Sequence, residues 1–394
     1  MIEIADHNIC CGCEACVNIC PQQCITMQPD PNEFLYPVID PNKCIECGLC
    51  RHCCPVLQKS AHRTEPIETY AAMNTDENIR MNSSSGGVFS VFADEILSHG
   101  GVVIGAAFSE DFRHVEHIAV ESAEEMDNLR GSKYVQSRIG FSYKQAKDAL
   151  ELGRWVLFSG TPCQIEGLRS FLRKDYEKLL CVDIICHGVP SPKIWSKYID
   201  FREQEAKAKT TQICFRKKDK HGWESYDVFF SFENGSIYER NHLEDLYIKA
   251  FVSDICLRDS CYNCKFKGIS RCSDITIADF WGIKETCAEL YDDKGVSLVF
   301  VHSEKGYRFF NKENGSKLSI RSVDIEDAIR HNFAAVQSVP MHRNRELFFN
   351  SVEKMTIDKL VSKYAVSPLS FRSILVGILR RIKLLDIIKS MYKK

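Results

Sequence analysis

Eight cysteines in the first 54 residues form two identical runs, Cys10-x2-Cys13-x2-Cys16-x3-Cys20-Pro21 and Cys44-x2-Cys47-x2-Cys50-x3-Cys54-Pro55, offset by 34 positions. Nothing else in the chain limits its fold so tightly. Two-residue gaps let one short loop turn three thiolates toward a common centre, and the proline ends the helical turn that follows. This is the spacing of bacterial two-cluster ferredoxins, in which the fourth cysteine of each run ligates the other run's cube. It assigns Cys10, Cys13, Cys16 and Cys54 to one 4Fe-4S cluster, and Cys44, Cys47, Cys50 and Cys20 to a second. A zinc ribbon would supply its ligands as two pairs, not as two triplets each followed by Cys-Pro. The segment is therefore expected to carry electrons. Cys11, Cys24 and Cys53 fall outside the pattern and receive no role.

The chain has 394 residues, 44% hydrophobic and 26% charged, enough for one large core and a small satellite domain. Twenty cysteines would mean disulfides in a short secreted protein. Residues 1–6 show neither the basic region nor the apolar stretch of an export signal, so a cytoplasmic chain holding metals or reactive thiols is expected. A formal net charge of −2 argues against nucleic acid as a partner. No apolar run has the length of a bilayer span.

Charge is unevenly spread. Residues 1–59 hold seven acidic and three basic side chains, whereas residues 369–394 hold one acidic and seven basic. In that last stretch Phe371, Ile374, Leu375, Ile378, Leu379 and Ile382 recur at helical steps with basic residues between them. A basic amphipathic helix is expected there. It would either cover part of the core, or lie peripherally on an anionic membrane surface at the inner face or in a partner's groove.

Residues 56–66 are polar, aperiodic and end in proline, which reads as a linker. Beyond it, strand-like runs at 102–108, 155–158, 179–185, 213–215, 228–232, 275–278 and 296–302 alternate with amphipathic stretches at 87–99, 143–152, 165–172 and 194–205. Such alternation predicts helices packed on a sheet. The expected fold is an α+β ferredoxin-like domain (1–58), a larger α/β domain (66–335) and a helical extension (336–394) that carries the basic helix.

A third cysteine group, Cys256-x4-Cys261-x2-Cys264-x7-Cys272, opens with the plant-type ferredoxin spacing. It fits a third 4Fe-4S cluster, a structural zinc or unligated thiols, and Cys272 is its weakest member because a strand follows directly. Three glycine- or proline-marked turns stand near strand ends. Ser84, Ser85, Gly86 and Gly87 precede a helix and offer hydroxyls and backbone amides to an anion. Thr161, Pro162, Cys163 and Gln164 open another helix, where the thiol of Cys163 is expected to be acidified. Cys186 and His187 begin the third turn, and ligands in open α/β sheets gather at such carboxyl ends. His187 is the leading proton-transfer candidate, with Asp279 weighed equally beside it.

In order along the chain, Ser84-Ser85-Gly86-Gly87-Val88-Phe89, Gly131-Ser132-Lys133-Tyr134-Val135-Gln136-Ser137, Gly160-Thr161-Pro162-Cys163-Gln164, Cys186-His187-Gly188-Val189-Pro190-Ser191-Pro192 and residues 273–282 resemble the family of coenzyme F420 hydrogenase/dehydrogenase beta subunits, over roughly residues 1–330. The fused dicluster segment makes the chain similar to its bacterial branch. The resemblance implies FAD in the α/β domain, lined by Ser84, Ser85, Gly86, Gly87, Lys133, Thr161, Pro162, Cys163 and Gln164. It implies a cluster beside the flavin on Cys256, Cys261 and Cys264, with Cys272 or Cys186 as fourth ligand. The expected activity is a flavin-dependent iron-sulfur oxidoreductase. It would work between a ferredoxin, hydrogenase or dehydrogenase partner and a small-molecule acceptor or F420. The alternatives are a non-catalytic electron-transfer subunit and a metal-stabilised interaction protein.

Overall fold

The computed structural model describes residues 4–58, 63–313 and 315–365. The basic helix predicted within 369–394 lies outside them, as do residues 59–62 of the predicted linker.

The first cysteine run ends on helix α1 (Ala15–Ile19), and the antiparallel hairpin β1 (Ile25–Pro29) and β2 (Leu35–Ile39) leads to the second run and α2 (Leu49–His52). The repeat in sequence is also a repeat of backbone. Gly12 and its counterpart Glu46 have φ of 68° and 57°, and Glu14 and its counterpart Gly48 have 58° and 71°. Two left-handed residues between the cysteines reverse the chain twice, which lets three thiols face one point. Glycine takes a different one of the two positions in each copy.

The chain then runs through β3 (Glu68–Asn74), α3 (Glu77–Asn82), α4 (Val88–Ser98), β4 (Val102–Phe108), β5 (Val115–Val120), β6 (Ser137–Arg138), α5 (Ser142–Glu151), β7 (Val156–Gly160), α6 (Pro162–Leu172), β8 (Leu179–Ile184) and α7 (Pro192–Ala206). Next come β9 (Thr210–Lys217), β10 (Asp227–Phe232), β11 (Ile237–Asn241), α8 (Leu246–Val252), β12 (Ile275–Asp279), β13 (Ser297–Val301) and β14 (Leu318–Ser322). Among the described residues a nine-stranded sheet has the order β14-β3-β13-β12-β8-β7-β4-β5-β6. Its centre, β12-β8-β7-β4, is parallel. The strands β7 and β8 are apolar without alternation because helices cover both faces. Val88, Val91 and Phe92 of α4 pack with Val103, Leu157 and Leu180 on one side. Tyr143, Ile165 and Leu168 of α5 and α6 pack with Ile104 and Phe158 on the other.

The cysteine-rich segment is no detached satellite. Cys13, Cys16, Ile25 and Cys54 belong to the same apolar cluster as α5, α6 and β7. Glu14, 7% exposed, accepts hydrogen bonds from the amides of Ile139 (2.9 Å) and Gly140 (3.0 Å), and Asn18 donates to the Gly140 carbonyl. A buried carboxylate stays only where such donors replace water.

The runs at 213–215 and 228–232 are strands, yet they leave the main series. With β11 they form a separate antiparallel sheet, β11-β10-β9, turned by Asn234 and Gly235. Trp195, Phe215, Phe230 and Tyr247 fill its core, joined by Phe348 and Leu360 from helices Arg345–Ser351 and Ile357–Tyr364.

His117 of β5, 7% exposed, bonds through Nε2 to the Ser159 carbonyl at 2.9 Å, and burial lowers its pKa to about 4. Between pH 6.5 and that value only the unfolded chain takes up this proton, so the site's contribution is complete above pH 6.5 and lost as pH falls. His117→Gln keeps a donor without the titration. Between pH 7.5 and pH 5 the parent is expected to lose about 2 kcal/mol more than this variant in urea unfolding.

Candidate functional site

Cys10, Cys13, Cys16 and Cys54 line one pocket, whose wall is otherwise largely apolar, with Ala15, Met27 and Val56 among its members. Burial pushes the Cys16 thiol well above its ordinary range, with Cys10 and Cys54 adding to it. The fourth cysteine of the first run lies elsewhere: Cys20 stands beside Cys24 at 3.4 Å and bears on Cys50, which also faces Cys47. The first predicted set thus lines one pocket, and of the second Cys20 and Cys47 act on Cys50, while Cys44 acts on Cys24. A mostly apolar pocket walled by five cysteines, Cys11 among them, offers the four thiolates that the irons of a 4Fe-4S cube need. The two cages differ in access. The first is buried, whereas Cys47 and the neighbouring Ile45 (60% exposed) reach the surface.

The strands β4, β7, β8 and β12 end on one edge of the sheet, and Cys163 and Cys186 follow two of them. Thr161 and Gln164 form a capping box with Pro162 at the first helical turn, which sets Cys163 at the amino end of α6. Cys186 stands two residues past the end of β8, and Gly188 lets that loop close on Cys261: an added Cβ would lie 3.3 Å from the Cys261 Cβ. Cys163, Cys186, Cys261 and Cys264 act on one another electrostatically, and burial raises each thiol, Cys186 to about 12. Lys267 donates to the Cys186 carbonyl and Arg271 and Lys267 offset the charge at Cys264.

Three expectations need correction. Cys256 is buried in the aromatic core beside Tyr247, with Arg345 and Asp254 acting on it. Cys272 packs between Glu166, Cys181 and Arg169 under the sheet. The thiols that act most on Cys261 and Cys264 include Cys163 and Cys186 from distant strand ends, and Cys186 is the second of the two fourth ligands that the resemblance implies. The third correction concerns Cys163. Its thiol is raised, not acidified, because Cys11 lies against it and burial removes water, which together outweigh the helix end. Among the described residues no three His, Cys, Asp or Glu groups are arranged for a single metal ion.

Cys11 bears on both Cys13 and Cys163, and Gly167 of α6 comes so near the first run that an added Cβ would lie 3.1 Å from the Cys13 Sγ. The buried cage and the Cys163 group are therefore neighbours across one packed helix.

The residues expected around a flavin stand on the same edge with most polar atoms engaged. Ser84 Oγ accepts from the Ser132 amide, Ser85 Oγ donates to the Val296 carbonyl, and a Cβ on Gly86 would lie 2.5 Å from the Ala72 oxygen. Gly87, at φ 78°, caps α4. Lys133 Nζ donates to the carbonyls of Asn128 and Arg130, and burial lowers its pKa to about 7. Gln164 donates to the Ser137 carbonyl and hydroxyl. His187 pairs with Asp254 at 2.6 Å. Asp279 accepts from Arg216 (3.0 Å) and the Trp223 indole (2.7 Å).

Sequence reasoning missed Arg216 and Lys218, which are 4% and 2% exposed. Arg216 points to the Ser84 carbonyl, and Lys218 donates to the carbonyls of Arg80, Ser85 and Lys294. The signal available was a basic run closing a β strand, 216–218.

Residues 9–57 match the 4Fe-4S dicluster domain. Residues 69–140 and 153–326 match the amino- and carboxyl-terminal domains of the coenzyme F420 hydrogenase/dehydrogenase beta subunit. One component of the F(420)H(2) dehydrogenase of Methanosarcina mazei is 25% identical over 207 residues, 49% of this chain and 58% of that protein. The coenzyme F420-dependent sulfite reductase of Methanocaldococcus jannaschii is 24% identical over 316 residues, 78% of this chain and 46% of that protein. The chain thus spans about half the length of these curated relatives. A chain of the F420-reducing NiFe hydrogenase complex of Methanosarcina barkeri superposes with TM-score 0.46 at 16% identity, covering 78% of this chain and 94% of that one. With both beta-subunit domains matched in order behind a dicluster segment, the chain belongs to the family of coenzyme F420 hydrogenase/dehydrogenase beta subunits.

Proposed function

We propose that the chain is a flavin-dependent iron-sulfur oxidoreductase that exchanges electrons between a one-electron protein carrier and an organic hydride acceptor such as F420. The observation that carries this reading is the gathering of Cys163, Cys186, Cys261 and Cys264 at the carboxyl edge of the sheet, one helix away from the buried cage. A bound FAD supplies the conversion between one hydride and two single electrons, and 4Fe-4S clusters supply the single-electron carriers. The chain's own residues order the path. Cys47 opens the second cage to solvent and to a docking carrier, and α6 holds the first cage against the Cys163 group. Arg216 brings a cationic donor to the Ser84 turn, where the phosphates of a dinucleotide would find it with the amino end of α4, and Lys218, its pKa lowered to about 7 by burial and by Arg216, holds the turn's carbonyls. His187, oriented by Asp254 and about a third exposed, can take or give a proton at that edge.

Among the described residues no helix is long and apolar enough to cross a membrane. Anaerobically purified protein is expected to be brown, to hold about twelve iron atoms, and to release FAD on denaturation. Its flavin band should bleach with reduced F420 and with reduced ferredoxin. A colourless, flavin-free protein holding zinc would overturn the proposal. Full iron without flavin would instead favour an electron-transfer component of a larger complex, the role that the exposed Cys47 cage also suits.

A further inference from the structure

Arg258 lies in the loop of the third cysteine group but points away from it, into the first run. It is fully buried, at 0% exposure. Its Nε donates to the Cys10 carbonyl at 2.8 Å and its Nη2 to the Leu35 carbonyl at 2.9 Å, with the Cys10 Sγ 3.9 Å from Nη2. Nη1 donates to Gln136 Oε1 at 3.1 Å, and Gln136 in turn donates to the Cys11 carbonyl. The guanidinium stacks 4.1 Å over the Tyr36 ring. Gly12 makes room for it, since an added Cβ would sit 3.0 Å from Nη1. Among the described residues no carboxylate pairs with it within 4.0 Å.

A buried cation without a counter-ion is strongly disfavoured. Every neighbour above fixes the orientation of Arg258, and none of them neutralises it. It acts on the buried Glu14 carboxylate, which lies beyond 4.0 Å, and the thiols it faces are Cys10 directly and Cys163, whose raised pKa its charge partly offsets. Those thiols are negative only when metal-bound or ionised, so the site is complete only with the clusters in place.

The two cages pose an energetic problem that this charge answers. Reduction adds one negative charge to a cluster, and burial penalises that charge. The first cage is buried and the second reaches the surface, so burial alone places the inner cluster at the lower potential and opposes inward transfer. We propose that Arg258 offsets this penalty, raising the reduction potential of the cluster on Cys10, Cys13, Cys16 and Cys54 so that an electron entering at the exposed cluster continues inward. The electron comes from a one-electron carrier protein, one cluster is oxidised as the other is reduced, and no bond is made or broken. Arg258 is a positioning and tuning residue, and its role rests on the cluster reading above.

Potentiometric titration followed by electron paramagnetic resonance tests this on the full chain, each cluster being assigned beforehand from chains lacking Cys13 or Cys47. In Arg258→Gln the inner cluster's reduction equilibrium is expected to fall at least tenfold, about 59 mV for one electron, while the outer cluster shifts far less. Arg258→Lys keeps the charge and is expected to stay within about threefold of the parent, near 28 mV. Unshifted potentials in the glutamine variant, or equal shifts at both clusters, would overturn the role of Arg258. If the glutamine chain loads no inner cluster, the lysine chain decides: parent-like potential supports a charge effect and a tenfold shift overturns it. Absence of both clusters from the parent would instead sink the cluster reading itself.

Discussion

Cys186→Ala is expected to cost the protein about four of its iron atoms and to stop electrons from reaching the flavin edge, while both amino-terminal clusters keep their signals. Cys272→Ala and Cys256→Ala are expected to retain full iron, because those thiols pack among Glu166 and Arg169 in one case and beside Tyr247 in the other. The comparison separates a ligand from a core cysteine by count, not by activity. Iron analysis and anaerobic absorption spectra of the three variants read it directly. Equal iron in Cys186→Ala and the parent would show that the strand-end thiols hold no cluster. Loss of iron in Cys272→Ala would restore the contiguous set read from spacing.

Gly167→Leu should act at the joint between the two cysteine systems. The position is buried in α6, where even a Cβ would stand 2.8 Å from the Tyr143 hydroxyl and 3.1 Å from Cys13. A leucine must displace the first run, an overpacking that costs about 1–3 kcal/mol and lowers Tm by several degrees. The inner cage cannot then close at its proper distance from Cys163. Expected results are loss of the inner cluster's signal and of flavin reduction by reduced ferredoxin, with the outer cluster kept. Gly167→Ala should move both quantities the same way by less. A leucine variant with parent-like melting and transfer would mean that the first run does not depend on α6.

Much of the frame could be read from the chain because its signals are local. The run at 102–108 became β4 with the same bounds, and the stretch at 165–172 became most of α6. The repeat of the two cysteine runs was legible because each spacing acts within one loop, and the backbone repeats it with matched left-handed residues. The third group was misread for the opposite reason. Spacing favours neighbours in sequence, and so it joined Cys256 and Cys272 to Cys261 and Cys264. The sheet sets Cys163 and Cys186 near Cys261, and of these two only Cys186 was anticipated as a ligand, through the resemblance, because their positions depend on which strands lie side by side. Likewise 213–215 and 228–232 look like members of the main alternation, and only the pairing with Ile237–Asn241 removes them to a second sheet. Arg216 and Lys218 look like surface charge in sequence, and become buried groups only when the Ser84 turn closes over them.

The duplicated cysteine runs began as equals in spacing and in backbone, but their surroundings have made them unlike. Every side of the first is answered by another part of the molecule: Glu14 by Ile139 and Gly140, Gly12 by Arg258, Cys13 by Gly167. It can change in evolution only together with those distant residues. The second, with Ile45 and Cys47 at the surface, is the one that a docking carrier would meet under the proposed function. A lineage could therefore exchange its electron donor by rewriting one short loop, leaving the inner half of the pathway as it stands.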